Sequence, residues 1–237
     1  MRHLRLLRKQ RGKRTVKIRF LGQSGYILKS GNTEIIIDPY LSDSVNRAVK
    51  RPRMLPVPID PEKIDCDAVI CTHNHLDHLD PDTVIKINKN QFYITTNEGK
   101  SELEGLGRSN TKALNEGESI DVGNFSITAV FADHTVEAFG LIIRAEGKTL
   151  YFSGDTLFNE KLFRIAEYKP DCTFICINGR LGNMNVKEAL ITAEKIGAPV
   201  NIPNHYDMFE SNSENPALFT DNIDGGKTLE FNREYDL

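Results

Sequence analysis

Thr72-His73-Asn74-His75-Leu76-Asp77-His78 follows directly on the apolar run Ala68-Val69-Ile70-Cys71. An apolar run that stops at three imidazoles and a carboxylate reads as a buried strand delivering metal ligands to a loop at its end. Two imidazoles at i and i+2, with Asp and His at i+4 and i+5, cannot all serve one metal from an extended segment. They serve two neighbouring metals if the loop turns sharply between them. The fold must therefore bring other elements to this loop to complete a site.

The histidines supply partners. The chain has six, of which His3 sits in the basic start. The other five fall at predicted strand ends: three in the motif, His134 after Phe125–Phe131, and His205 after Val200–Ile202. One strand-end histidine is more often a surface residue than a ligand; five in that position form a set. Asp155, in Ser153-Gly154-Asp155-Thr156 after Thr149–Phe152, is a further candidate. Gly154 admits close backbone approach, and a carboxylate there could bridge two cations. Asp38 ends the strand containing Ile35-Ile36-Ile37, either as a turn cap or as acceptor for the N–H of a ligating imidazole. Gly22 and Gly25 bracket Gln23-Ser24, a tight connection that could bring backbone close to a ligand.

The patterning along the chain predicts short strands and helices with no linker or low-complexity segment. Strands are expected at Val16–Phe20, Gly25–Lys29, Glu34–Asp38, Asp67–Cys71, Gln91–Thr95 and Lys112–Leu114, then at Ser119–Val122 and Phe125–Phe131. A hairpin over Phe139–Ala145 and Thr149–Phe152 follows, with later strands at Cys172–Ile177 and Pro199–Ile202 and a last one near Thr228–Phe231. Asp80-Pro81 opens a helix to about Asn88, and Asn97–Leu106 and Leu157–Tyr168 read as helical. Asn185-Val186-Lys187-Glu188 is a capping box for a helix ending at Ile196, before Gly197. Leu41–Pro61, with four prolines, reads as a surface loop and a candidate lid, and Pro216–Thr220 as one helical turn. Hairpins in the first part and βαβ units in the second point to an α/β protein with two packed sheets and helices outside.

Charge narrows the partners. Net charge is −3, yet residues 1–14 hold seven basic side chains and no acid, so the rest is distinctly acidic. An acidic body argues against nucleic acid as the main substrate. Residues 1–14 are expected to be a loose basic extension, and 15–237 a single domain. The basic start lacks the apolar core of a signal peptide, and no apolar run reaches membrane-spanning length. Cys66, Cys71, Cys172 and Cys176 show no CxxC spacing, and Cys172 and Cys176 share one face of a predicted strand as core residues. A cytoplasmic protein with no membrane partner is expected; self-association is left open.

Four ordered motifs carry a resemblance: Thr72–His78, Asp133-His134-Thr135, Gly154-Asp155-Thr156 and Pro203-Asn204-His205. From about Val16 to Asp207 the chain resembles the metallo-β-lactamase superfamily. The resemblance implies an αββα sandwich with a metal site at the edge between the sheets. It implies that His73, His75 and His134 hold one divalent metal, that Asp77, His78 and His205 hold the other, and that Asp155 bridges them. Two metals about 3.5–4 Å apart can share a hydroxide as nucleophile and polarise the scissile group. Asp77 or Asp155 could orient that hydroxide and pass a proton to the leaving group. Mixed N/O ligation suits Zn2+, Mn2+ or Fe2+.

Finer motifs are similar to those of the L-ascorbate-6-phosphate lactonase-like branch. They are Gly22-Gln23-Ser24-Gly25, Ile37–Ser42, Ile177-Asn178-Gly179-Arg180 with Gly182-Asn183-Met184, and His205–Phe209 with Asn212 and Asn215-Pro216. That branch implies hydrolysis of a small, phosphorylated cyclic ester. Arg180, whose planar fork matches phosphate, becomes the candidate for gripping an anionic substrate, with a surface role as the alternative. Asn178, Tyr206, Asp207 and Gln23 are further candidate pocket residues. The rivals are a phosphodiesterase or nuclease of the same superfamily, and a metal-stabilised ligand sensor without turnover. A β-lactamase is disfavoured because no export signal is visible. A diiron oxidoreductase of this fold usually carries Glu at the position of His75.

Overall fold

A computed structural model describes residues 15–237; the basic extension and His3 lie outside the described residues. Strand parity builds the layers. β1 (Lys17–Gly22), β2 (Gly25–Ser30) and β3 (Thr33–Ile37) form antiparallel hairpins. In β3, Ile35 and Ile37 point into the core between two sheets, whereas Ile36 points the other way into a second cluster with Val69 and Tyr93. A sheet apolar on both faces must be covered on both. Here the second sheet covers one face, and helices cover the other.

The first sheet continues through β4 (Ala68–Ile70), β5 (Tyr93–Thr95) and β6 (Thr111–Ala113), all parallel to β3. Parallel neighbours require crossovers. α2 (Pro81–Lys86) links β4 to β5 and α3 (Asn97–Gly105) links β5 to β6. Crossover units are therefore present in the first half too, which the three-residue strands hid from a periodicity reading. Asp80 and Thr96 cap the two helices by accepting from Asp82 N–H and Gly99 N–H.

The second sheet comprises β7 (Ser119–Val122), β8 (Phe125–Val130), β9 (Gly140–Ala145), β10 (Lys148–Phe152), β11 (Cys172–Cys176) and β12 (Val200–Asn204). β10, β11 and β12 are parallel. A 3-10 helix over Glu160–Tyr168 and α4 (Val186–Ile196) make their crossovers. Both hydrogen bonds of the Asn185–Glu188 capping box form, and Gly197 ends α4 at φ 73°. The result is the αββα sandwich. Tyr26 spans its middle, packing edge-on to Phe152 and Phe174 at 5.2 and 5.1 Å between ring centroids. Its hydroxyl donates to Asn204 Oδ1 at 3.0 Å, which ties the core to the end of β12. Cys172 and Cys176 are buried in this core, and all four cysteines are free.

Two segments differ from expectation. Thr228–Phe231 is not a strand; β13 (Glu234–Asp236) pairs with β1 instead. Asn232 N–H donates to Phe20 O at 2.8 Å and Asn232 adopts φ 59°, so the chain meets the sheet edge, turns and only then pairs. Leu41–Pro61 contains α1 (Ser44–Val49), with Tyr40, Leu41 and Val45 buried, rather than loop throughout. Apolar anchoring outweighs its prolines, which all follow the helix.

Arg108, 7% exposed, donates to Val84 O and Ile87 O at 2.8 and 3.3 Å at the end of α2. Arg108→Ala strands both carbonyls and is expected to cost about 2–3 kcal/mol, read from urea unfolding. A loss below about 0.5 kcal/mol, the usual range for surface changes, would show that water replaces the guanidinium.

Candidate metal centre

The edge between the sheets is built by strand ends. Ile37 and Ile70 are register partners, so Asp38 emerges from β3 beside Thr72. Asp38 Oδ1 accepts from Thr72 N–H at 2.7 Å. Its Oδ2 accepts from Thr72 Oγ1 at 2.7 Å and from the His78 ring at Nδ1, 2.8 Å away. Asp38 thus caps the turn and receives an imidazole N–H at once. The His75 carbonyl accepts from His78 N–H at 2.9 Å and Leu79 N–H at 2.8 Å. This closed turn separates His73 and His75 from Asp77 and His78.

β8 delivers His134, whose Nδ1 donates to Gly182 O at 3.0 Å. A Cβ on residue 182 would stand 2.9 Å from that ring, and its φ is 91°, so glycine is required there. β10 delivers Asp155, 4% exposed, whose Oδ2 accepts from Asn183 Nδ2 at 2.8 Å. β12 delivers His205 at φ 63°, its backbone N–H donating to Gln23 O at 3.0 Å. Gln23, Asp38, Leu181, His205 and Asp207 all hold positive φ without being glycine. Such strain gathers where surrounding structure over-determines a functional geometry.

The seven side chains come together. His73, His75 and His134 bring one ligand atom each within 4.8 Å of one another, as do Asp77, His78 and His205. Asp155 lies between the sets: Oδ1 is 3.3 Å from His78 Nε2, and Oδ2 is 3.2 Å from His205 Nε2 and 4.0 Å from His134 Nε2. Asp77 Oδ2 stands 3.6 Å from His205 Nε2 and 3.8 Å from His78 Nε2.

The donor set fits divalent ions. Thr72 Oγ1 spends its hydrogen on Asp38, so His73 Nδ1–H donates to Thr72 Oγ1 at 3.1 Å and leaves His73 Nε2 bare. His134 Nε2 is bare for the same reason, its Nδ1–H being engaged. Both nitrogens face His75 Nδ1, at 3.0 and 3.1 Å. Three convergent nitrogens call for a cation. His78 Nε2 and Asp155 Oδ1 are buried without a hydrogen-bond partner among the described residues, as expected of atoms that serve an ion.

Electrostatics divides the cluster. Burial pushes the His73, His75 and His134 rings below the ordinary imidazole value, with neighbouring histidines adding to it. Burial also opposes charge on His78 and His205, yet the Asp155 carboxylate lifts His78 well above the usual value and His205 to about 9. Burial works to raise Asp77 and Asp155, but the same two imidazoles hold both well below the carboxylate range.

A cavity of about 430 Å³ opens onto His75 and Asp77. None of the five expected substrate contacts lines it. Arg180 turns outward and donates to Ser213 O at 2.9 Å. Asn178 is buried behind Asn212, donating to its Oδ1 at 2.9 Å, and Asn212 does line the cavity. Tyr206 packs on Phe20 in the core, and Asp207 accepts on its carboxylate from Ser213 Oγ. Gln23 is fully buried, its Nε2 donating to Asp77 Oδ2 at 2.7 Å. Sequence reasoning gave no role to Thr72, Asn183 or Arg51. Asn183 lies in the motif Gly182-Asn183-Met184, but that it meets Asp155 is a tertiary fact.

The family described as Beta-lactamase superfamily domain matches residues 33–206. The chain is similar to a UPF0173 metal-dependent hydrolase of Methanospirillum hungatei, 31% identical over 217 residues, covering 86% of this chain and 89% of that one. It is likewise similar to a UPF0173 metal-dependent hydrolase of Oenococcus oeni, 28% identical over 244 residues, covering 94% of this chain and all of that one. Its fold is similar to Igni18, a metallo hydrolase from Ignicoccus hospitalis: TM-score 0.77 at 24% identity, covering 94% and 98% of the two chains. The chain belongs to the β-lactamase superfamily, as one of its metal-dependent hydrolases.

Proposed function

We propose that the protein hydrolyses a small ester or lactone, with or without a phosphate, at two divalent ions held by the seven His and Asp side chains. The observation that carries this reading is the Asp155 carboxylate placed between two three-ligand sets beside a cavity of about 430 Å³. Such a volume lies toward the lower end of the range for small-molecule sites. Bound Zn2+, Mn2+ or Fe2+ would supply Lewis acidity and ionise water near neutral pH. Asp38, through Thr72 and His78, fixes which ring nitrogens face inward. Asn183 holds Asp155, and Gln23 holds Asp77.

In this reading Asp77, which lines the cavity, takes a proton from the attacking water and passes it to the leaving oxygen. Water adds to the carbonyl carbon, the C–O bond to the leaving oxygen breaks, and that oxygen takes the proton. The products are an acid and an alcohol, joined in one molecule when the substrate is a lactone. An apolar wall of Val45, Val49, Leu76, Leu181 and Phe209 argues against a nucleic acid backbone, which basic side chains would track.

Metal-loaded protein assayed against lactones, carboxylic esters, thioesters and phosphodiesters is expected to prefer the first two classes. Preference for phosphodiesters would favour the nuclease reading. Tight binding of a phosphorylated sugar with no turnover across the panel would favour the sensor.

A further inference from the structure

The cavity wall has an uneven chemistry that the reaction does not require. Its apolar side is formed by Val45 and Val49 of α1, by Leu76, and by Leu181 and Phe209. Among the described lining residues, Arg51 is the single guanidinium or ammonium. Two nearby arginines are committed elsewhere. Arg47 pairs with Asp82. Arg53 donates to Leu55 O at 2.6 Å and to Ser42 O at 2.9 Å, stitching the segment after α1 together. Arg51, half-buried, makes no hydrogen bond or ion pair with a described residue. Arg180, which precedes the lining residue Leu181, is tied to Ser213.

Leu181 adds a second observation. It holds φ 55° and is 56% exposed on the cavity wall. A leucine in the left-handed region costs about 1–2 kcal/mol, which asparagine or glycine largely avoids. An exposed leucine there gains nothing for the fold that would offset this strain. Apolar surface offered to a ligand gives it a purpose. An anion reaching Arg51 across such a wall is partly desolvated, which strengthens its hydrogen bonds to the guanidinium.

Resting on the hydrolase reading, we propose that the substrate carries an apolar chain between its scissile ester and a terminal anionic group, and that Arg51 binds that group. Arg51 and Leu181 then set specificity, while the His and Asp centre performs the reaction. The terminal group is a carboxylate or a phosphate, since both match the guanidinium fork.

Phenyl acetate, phenyl hexanoate and the monophenyl ester of adipic acid separate these contributions, the last two differing only in a terminal carboxylate. The adipate ester is expected to exceed the hexanoate ester in kcat/KM by about 10-fold or more, the value of one charge-assisted hydrogen bond. Arg51→Gln is expected to bring that ratio near one, Arg51→Glu below one, and Arg51→Lys to retain part of it. Leu181→Asn, which suits the left-handed backbone, should lower the hexanoate-to-acetate ratio. A preference for adipate that survives Arg51→Gln, or no such preference in the wild type, overturns the proposal. A phosphate-ended ester preferred over the adipate ester, again through Arg51, supports it and selects phosphate. If none of the esters is turned over, the hydrolase reading fails separately, and calorimetry decides the proposal. The monoamide of adipic acid bound about 10-fold more tightly than hexanamide, which lacks its carboxylate, with the difference lost in Arg51→Gln, supports it; equal binding overturns it.

Discussion

Asp155→Asn is expected to abolish turnover and to weaken metal binding by more than about 100-fold, the upper range for groups that only orient a ligand. The substitution keeps the size of the side chain, and a contact with Asn183 is retained. What it removes is the negative charge lying 3.2 Å from His205, 3.3 Å from His78 and 4.0 Å from His134. Two cations held close together need a shared anionic ligand to offset their repulsion, and no other described carboxylate approaches both ligand sets. Asp77 reaches only His78 and His205. A calorimetric metal titration beside a turnover assay checks the expectation. Full occupancy with retained turnover in the variant would remove Asp155 from the bridging position.

Metal removal is expected to make stability depend on pH in a way the loaded protein does not show. Without metal, the imidazolium of His205 is favoured by Asp155 and Asp77, and its pKa rises to about 9 against an ordinary value near 6.5. Its contribution is therefore fully present below about pH 6.5 and lost as pH rises through about 9, a change on the order of 3 kcal/mol. On the acid side the sign reverses. The same contacts hold Asp77 and Asp155 below the carboxylate range, so their contribution is present above about pH 4 and falls away as they are protonated. Metal replaces the histidine protons, so the loaded protein keeps its stability to higher pH. Melting curves with and without chelator from pH 5 to 9.5 should show a Tm gap that widens above about pH 6.5. A gap that is constant with pH would mean that no proton leaves when metal binds.

The site was more legible than the pocket, for a physical reason. His73, His75, Asp77 and His78 sit in one short loop, and His134, Asp155 and His205 each follow a strand whose apolar run is visible in the sequence. Strand ends on one edge of a sandwich converge, so ligands can be gathered without knowing any side-chain direction. The cavity wall follows no such rule. Arg180 lies between Gly179 at φ 65° and Leu181 at φ 55°, and this turn aims its guanidinium at Ser213 rather than inward. Arg51 looked like one more basic residue in a proline-rich loop, because α1 and its buried Val45 were hidden there. β13 was missed because its pairing depends on the open edge of β1 and not on its own composition.

Counting metal ions per chain tests whether the seven His and Asp side chains form two sites joined by Asp155. After reconstitution with excess Zn2+ or Mn2+ and removal of loosely held ions, elemental analysis is expected to give two ions per wild-type chain and fewer in Asp155→Asn. One ion or none in wild-type protein that is folded and fully exchanged would contradict a site built from two sets of ligands joined by Asp155.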